Sequence, residues 1–290
     1  MPVKKGKGGE RYVEAEVEVP GSPESVWQAI ATGKGISSWF VPSTIDGRDG
    51  GSAVSNFGPG MEAVATIKAW NPPHDYVVES EGGPGKVATE WIVEPRAGGT
   101  CIVRVVHRWF ADSDDWDGEF EGHAYGWAAS FFRMLRLYLT HYAGQQCAVN
   151  QLSAFSKTSG PETWRTIRSA MKIDGQANRV TSTAGAPGFA GTIESTAIAD
   201  PELLQARERS PLIAAALEGM DGEEPELLVR LDQPAPGLAH FFIMPMGDVT
   251  MVSIRFFLYG EMGAAAANDV QSAWSAWLDD RFPQEEVSTC

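Results

Sequence analysis

The sequence predicts an α+β protein that builds one small architecture twice. Three observations carry this expectation. Stretches with strand alternation follow one another with only Gly- and Pro-rich turns between them, and a helical segment closes each half. One helix-start phrase also occurs twice, as GSPESVWQAI at residues 21–30 and SGPETWRTI at residues 159–167. A chain of 290 residues has room for two domains of ~100–200 residues each. The expected division is a flexible start at 1–10, a first domain at 11–144 and a second at 146–290.

The elements follow in order. RYVEAEVEV alternates apolar and acidic residues, the period of a half-buried strand. In the repeated phrase, Ser22 suits an N-cap, Pro23 the first helical position and Glu24 the first turn, where the helix dipole favours an anion. A second short helix ends near Trp39 and Phe40. GSAVSNF, MEAVATIKAW, DYVVESE, KVATEWIVEP and TCIVRVVHRWF then read as strands joined by NPPH, GGPG and RAGG, an antiparallel meander. The acidic stretch Asp112 to Glu121 reads as a solvated loop. HAYGWAASFFRMLRLYLTHYAG is apolar nearly all round, with Arg133, Arg136 and Thr140 as a narrow polar stripe, and predicts a largely buried helix ending before Gly144.

The second half repeats this order in divergent form: a strand at AVNQLSAF, the capped helix, further strands, and a closing amphipathic helix on Val270, Trp274, Trp277 and Leu278. GTIESTAIADPELL resembles AVATIKAWNPPHDYV, a strand before a Pro-containing turn. SSWF has no counterpart, and SPLIAAALEGM reads as an inserted helix.

Composition excludes several functions. The net charge of −15 opposes binding to nucleic acid or an anionic membrane surface, since phosphate neutralisation needs a basic face. No run of about 18 apolar residues exists to span a bilayer. Cys101, Cys147 and Cys290 are odd in number without metal-like spacing, and no apolar segment follows the first lysines; both point to reduced thiols and a cytoplasmic location. There is no GxSxG, HExxH, P-loop or CxxC, and the five histidines lack zinc-ligand spacing. No metal, cofactor or catalytic set is expected.

VPGSPESVWQAI followed by WF, WIVEPRAGGT before a strand ending HRWF, and HAYGW opening the last helix resemble the helix-grip, or START-like (SRPBCC), superfamily. The nearest branch is that of the activators of the heat-shock chaperone ATPase. The resemblance implies two helix-grip domains, the second divergent, each a curved antiparallel sheet wrapped around a long C-terminal helix with an apolar cavity between. Related pockets hold lipids, hormones and polyketides.

Alternation sorts the candidate lining. Cys101, Val103, Val105, His107 and Trp109 share one strand face, and Arg104 and Arg108 belong to the other, solvent-facing side. On the neighbouring strand Val87, Thr89, Trp91 and Val93 share a face. Trp39, Phe57 and Trp70 extend the aromatic wall, and Phe131, Leu135 and Tyr138 offer a helix face to close it. Any one of these can serve purely as core. Together they suit a flat apolar ligand with few polar anchors. The expected partner is a hydrophobic, aromatic or polyketide-like small molecule, sequestered by a binding protein rather than turned over. Self-resistance to an enediyne-type product is one form of that role. The alternatives are a polyketide aromatase or cyclase with His107 or Tyr138 moving protons, and a chaperone regulator.

Overall fold

The computed structural model describes residues 2–58, 60–82, 84–194, 210–220 and 224–283. It contains two antiparallel sheets in two units that meet in sequence between Gln145 and Gln146.

In the first unit, Lys4–Lys5 (β1) pairs with Glu10–Pro20 (β2), so the stretch expected to be flexible contributes a short edge strand. Pro23–Ile30 (α1) starts as its sequence dictates: the Ser22 hydroxyl accepts from the Ser25 N–H at 3.3 Å, and Val26, Trp27, Ala29 and Ile30 are buried. Thr32 caps Gly33–Ser37 (α2) by accepting from the Gly35 N–H at 3.0 Å. A Cβ at Gly35 would fall on the Gln28 carbonyl, so this glycine lets α2 turn back tightly against α1.

Six strands follow: Ser43–Ile45 (β3), Ser52–Asn56 (β4), Glu62–Asn71 (β5), Asp75–Gly82 (β6), Gly85–Arg96 (β7) and Thr100–Phe110 (β8). Each pairs with the next, and β8 closes on β2, giving the order β1-β2-β8-β7-β6-β5-β4-β3. On the outer face Arg104 bridges Glu16 and Glu94, and Arg108 bridges Glu90, a cross-strand ladder.

Asp117–Gly126 (α3) runs through a π-helical turn, Trp127–Phe131, into Phe132–His141 (α4). The helix therefore begins inside the acidic stretch expected to be a loop. Arg11 grips Asp117 with bonds of 2.7 and 2.6 Å, the Val3 N–H donates to Glu121 at 2.9 Å, and Phe120 stacks on Trp109 at 3.9 Å. Arg11 and Val3 stand more than a hundred residues away, and Trp109 lies on a strand, so helical periodicity could not register them.

The second unit comprises Cys147–Ser156 (β9), Gly160–Ser169 (α5), Met171–Asp174 (β10), Arg179–Ser182 (β11), Ala190–Glu194 (β12), the end of Pro211–Leu217 (α6), Glu226–Gln233 (β13), Gly237–Met246 (β14), Val249–Tyr259 (β15) and Gly260–Arg281 (α7). Its order, β10-β11-β12-β13-β14-β15-β9, matches that of β3 to β8 and β2 strand for strand, with the last strand closing on the first in both. β10 follows α5 directly, which is why SSWF has no counterpart. Most of the segment compared with AVATIKAWNPPHDYV, residues 195–204, lies outside the described residues. Residues 210–214 group with the first unit: Ser210 is fully buried, and its side chain and that of Ile213 lie against Gly122 of α3.

The second unit has an aromatic core of its own. Trp274 of α7 packs against Phe189, Phe241, Phe256 and Trp277 at 5.5–5.8 Å, all of them buried. Ser159 and Glu162 form a capping box at the start of α5. Ser159→Ala is expected to lower stability by about 1 kcal/mol in urea titrations; no shift of the midpoint would mean the cap is redundant.

Candidate functional site

The inner face of the first sheet divides into two regions. Alternation and register place Ala15, Val105, Trp91 and Tyr76 side by side under the helices; all are buried, and Tyr76 donates its hydroxyl to the Ile30 carbonyl at 2.8 Å. Burial raises the Tyr76 pKa well above the ordinary phenol value. Toward β4 the same face carries small residues. Ala53 pairs with Ala65 and Ser55 with Ala63, continuing to Val78, Ser80 and Thr89. Ser55, Ala65, Val78, Ser80 and Thr89 are half-buried, so this end of the face is not sealed from above.

Against this floor stands an aromatic wall centred on Trp127. Its ring stacks on Phe40 (5.0 Å, 29°), meets Trp91 edge-on (5.1 Å, 87°) and touches Phe131 at 5.2 Å, with Trp39 at 6.5 Å. Phe40 extends the wall to Phe131 at 4.7 Å and Phe57 at 5.6 Å. Trp127 opens the π turn, a departure from α register that is frequent at functional sites.

His107 supplies the polar point. The Trp127 indole N–H donates to His107 Nε2 at 3.0 Å. An indole nitrogen can only donate, so Nε2 accepts and the proton sits on Nδ1, which donates to Thr89 Oγ1 at 2.9 Å. Both ring nitrogens are engaged in the neutral form. Burial against apolar neighbours, aided by the nearby His123, pushes the His107 pKa down to about 3. The ring is partly accessible, but the groups around it are mostly apolar. His123, 6.0 Å away, is also lowered by burial, with Glu119 opposing the shift.

The structure brings Trp39, Phe57, Trp91, His107 and Phe131 into one connected site. Trp70 lies further off, with Trp27 at 5.0 Å and Tyr76 at 5.3 Å under α1. Trp109 belongs to a separate cluster with Val13, Val87, Phe120 and Ala124. Leu135 and Tyr138 are buried on α4, one and two turns beyond Phe131. Sequence reasoning missed Trp127, Phe40 and Thr89 as site residues. Trp127 stands four residues before Phe131, the spacing of one helix face, and that signal was available. Among the described residues no three His, Cys, Asp or Glu side chains are placed to hold a metal, and no helix is long and apolar enough to cross a membrane.

A curved antiparallel sheet with two short helices after its first strand and a long helix across its inner face defines the helix-grip class. The chain holds two domains of this plan in tandem, the second with a single short helix, α5, after its first strand. Residues 11–140, in the first unit, match the family model described as polyketide cyclase / dehydrase and lipid transport. Among solved structures, the di-domain ARO/CYC BexL from the BE-7585A biosynthetic pathway is similar over 95% of this chain and 99% of its own, at 11% identity and TM-score 0.43. DynU16, described as a putative protein in the dynemicin biosynthetic locus, matches 93% of this chain and 97% of its own at 13% identity and TM-score 0.39. The Aha1 protein of Colwellia psychrerythraea matches 46% of this chain and 98% of its own at 19% identity and TM-score 0.38. No curated protein matches the sequence.

Proposed function

We propose that the first unit binds a planar apolar small molecule, aromatic or polyketide-like, and sequesters it without turning it over. The observation that carries this reading is the half-buried row of small side chains, Ser55, Ala65, Ser80 and Thr89, on the same sheet face as Trp91 and His107, which meet the ring wall at Trp127. A flat ligand there exchanges water for ring faces. At ~25 cal/mol per Å2, burying ~200 Å2 of apolar surface is worth about 5 kcal/mol before ordering costs. The family match over residues 11–140 supports a polyketide- or lipid-related ligand. Sequestration is favoured over cyclase chemistry because His107 has both nitrogens engaged and its pKa lies far below the neutral range in which a general acid–base works best.

Naphthalene-sized aromatics should bind saturably, with quenching of tryptophan fluorescence. Ala65→Phe, which fills the floor at a half-buried position, should weaken binding at least tenfold while leaving the circular dichroism spectrum intact. Absence of saturable binding, or full binding by the folded Ala65→Phe protein, would overturn the assignment.

A further inference from the structure

We propose that His107 is the recognition point of this site: it selects planar aromatic ligands bearing a hydroxyl or N–H donor, which bind by taking the place of the Trp127 indole. The inference rests on the reading that the site holds a planar apolar molecule, and adds to it the polar group that molecule must carry.

The tautomer dictates the selection. Because Nδ1–H is committed to Thr89 at 2.9 Å, Nε2 is an acceptor and nothing else. At present it is satisfied by the indole of Trp127 at 3.0 Å. That indole is itself a flat aromatic donor, held face to face with Phe40 and edge-on to Trp91, so the protein already fills the slot with a group of the chemistry the slot accepts. A ligand that moves the indole aside and offers only a carbonyl or ether leaves Nε2, a half-buried acceptor, without its partner, which is costly. A phenol, enol or pyrrole-type N–H restores the bond. Neutral imidazole also has no charge to reward a carboxylate, which separates this preference from that of a cationic anchor.

The backbone provides the means of exchange. Trp127 is the first residue of the π turn, which holds one residue more than an α turn, and Gly126 precedes it. Passing the extra residue along the helix re-aims Trp127 without unfolding α3 or α4.

The test compares 1-naphthol, 1-methoxynaphthalene and naphthalene on the unmodified full-length protein, by calorimetry and by the indole N–H signals of 15N-labelled tryptophan. Partitioning alone ranks the ether above the phenol; the proposal predicts the reverse, with 1-naphthol tighter than either competitor by about tenfold. On saturation with 1-naphthol the Trp127 indole signal, assigned by its loss in Trp127→Phe, should shift and exchange faster with solvent. Trp127→Phe frees the acceptor and should raise affinity for 1-naphthol selectively, and His107→Leu should reduce the phenol-to-ether ratio to about one. If the ether and the phenol bind equally well, or the Trp127 signal is unchanged at saturation, the role of His107 falls while the apolar site stands. If none of the three binds, the apolar site falls and this inference with it.

Discussion

Trp39→Ala is expected to destabilise the first unit by about 3–5 kcal/mol, the largest effect of any single truncation in the site. Trp39 is 0% exposed, and its ring meets Phe40 at 5.7 Å, Trp91 at 6.4 Å and Trp127 at 6.5 Å. Its indole N–H donates to the Ala29 carbonyl at 3.0 Å, which ties the end of α2 to the end of α1. Truncation removes the ring contacts, leaves a cavity the size of an indole and frees one buried carbonyl together. Trp39→Phe keeps most of the volume and should cost about 1–2 kcal/mol, mainly for the lost hydrogen bond and the smaller ring. Trp70→Ala, at a half-buried position, should fall well below Trp39→Ala. Urea denaturation followed by far-ultraviolet circular dichroism measures all three. A Trp39→Ala cost no larger than that of Trp70→Ala would mean that Trp39 is ligand wall more than core.

The parts of this molecule legible in its sequence are those set by neighbours a few residues away. Both repeated phrases start helices through local chemistry: a serine cap and a proline that has no N–H to leave unpaired serve α1 and α5, and in α5 the glutamate completes a capping box. The alternation in Thr100–Phe110 assigned faces correctly because one face is sealed: Cys101, Val103, Val105 and Trp109 are at most 1% exposed. Alternation gives the face but not the distance across it. His107 and Trp109 share a face, yet only His107 bonds to Trp127, while Trp109 stacks on Phe120. Phe120 was hidden because its segment is acidic, and only Arg11, more than a hundred residues earlier, turns that acidity into a helix start. Trp127 was used as a landmark of the fold and not as a site residue. Its importance comes from the π register and from an imidazole on a strand, and neither is written in a helical period.

Lowering the pH from 6.5 toward 3 is expected to remove about 3 kcal/mol of stability through His107 alone. The sign follows from the direction of the shift. The folded pKa, about 3, lies below the ordinary value of 6.5, so the unfolded chain binds the proton first as pH falls. The contribution is complete above pH 6.5 and is lost progressively down to pH 3. One pKa unit corresponds to 1.36 kcal/mol, and the figure of about 3 kcal/mol discounts the full shift because the ring is partly accessible. The structural reason is direct: a proton on Nε2 would point at the indole N–H that Nε2 now accepts. His123 is shifted the same way, so the measurement needs His107→Gln beside His123→Gln. Glu24 and Glu79, whose pKa values are held below the carboxylate range by hydrogen bonds, act in the same direction but below pH 4.5, which leaves the interval from 6.5 to 4.5 to the histidines. Gln at 107 keeps a carbonyl to accept from Trp127 and an amide to donate to Thr89 without a titratable proton. Its stability should fall less steeply across that interval than the parent's, and His123→Gln measures the share of the slope that belongs to His123. Identical slopes for the parent and His107→Gln would place the His107 pKa near its ordinary value, and the imidazole would again be available for proton transfer at neutral pH.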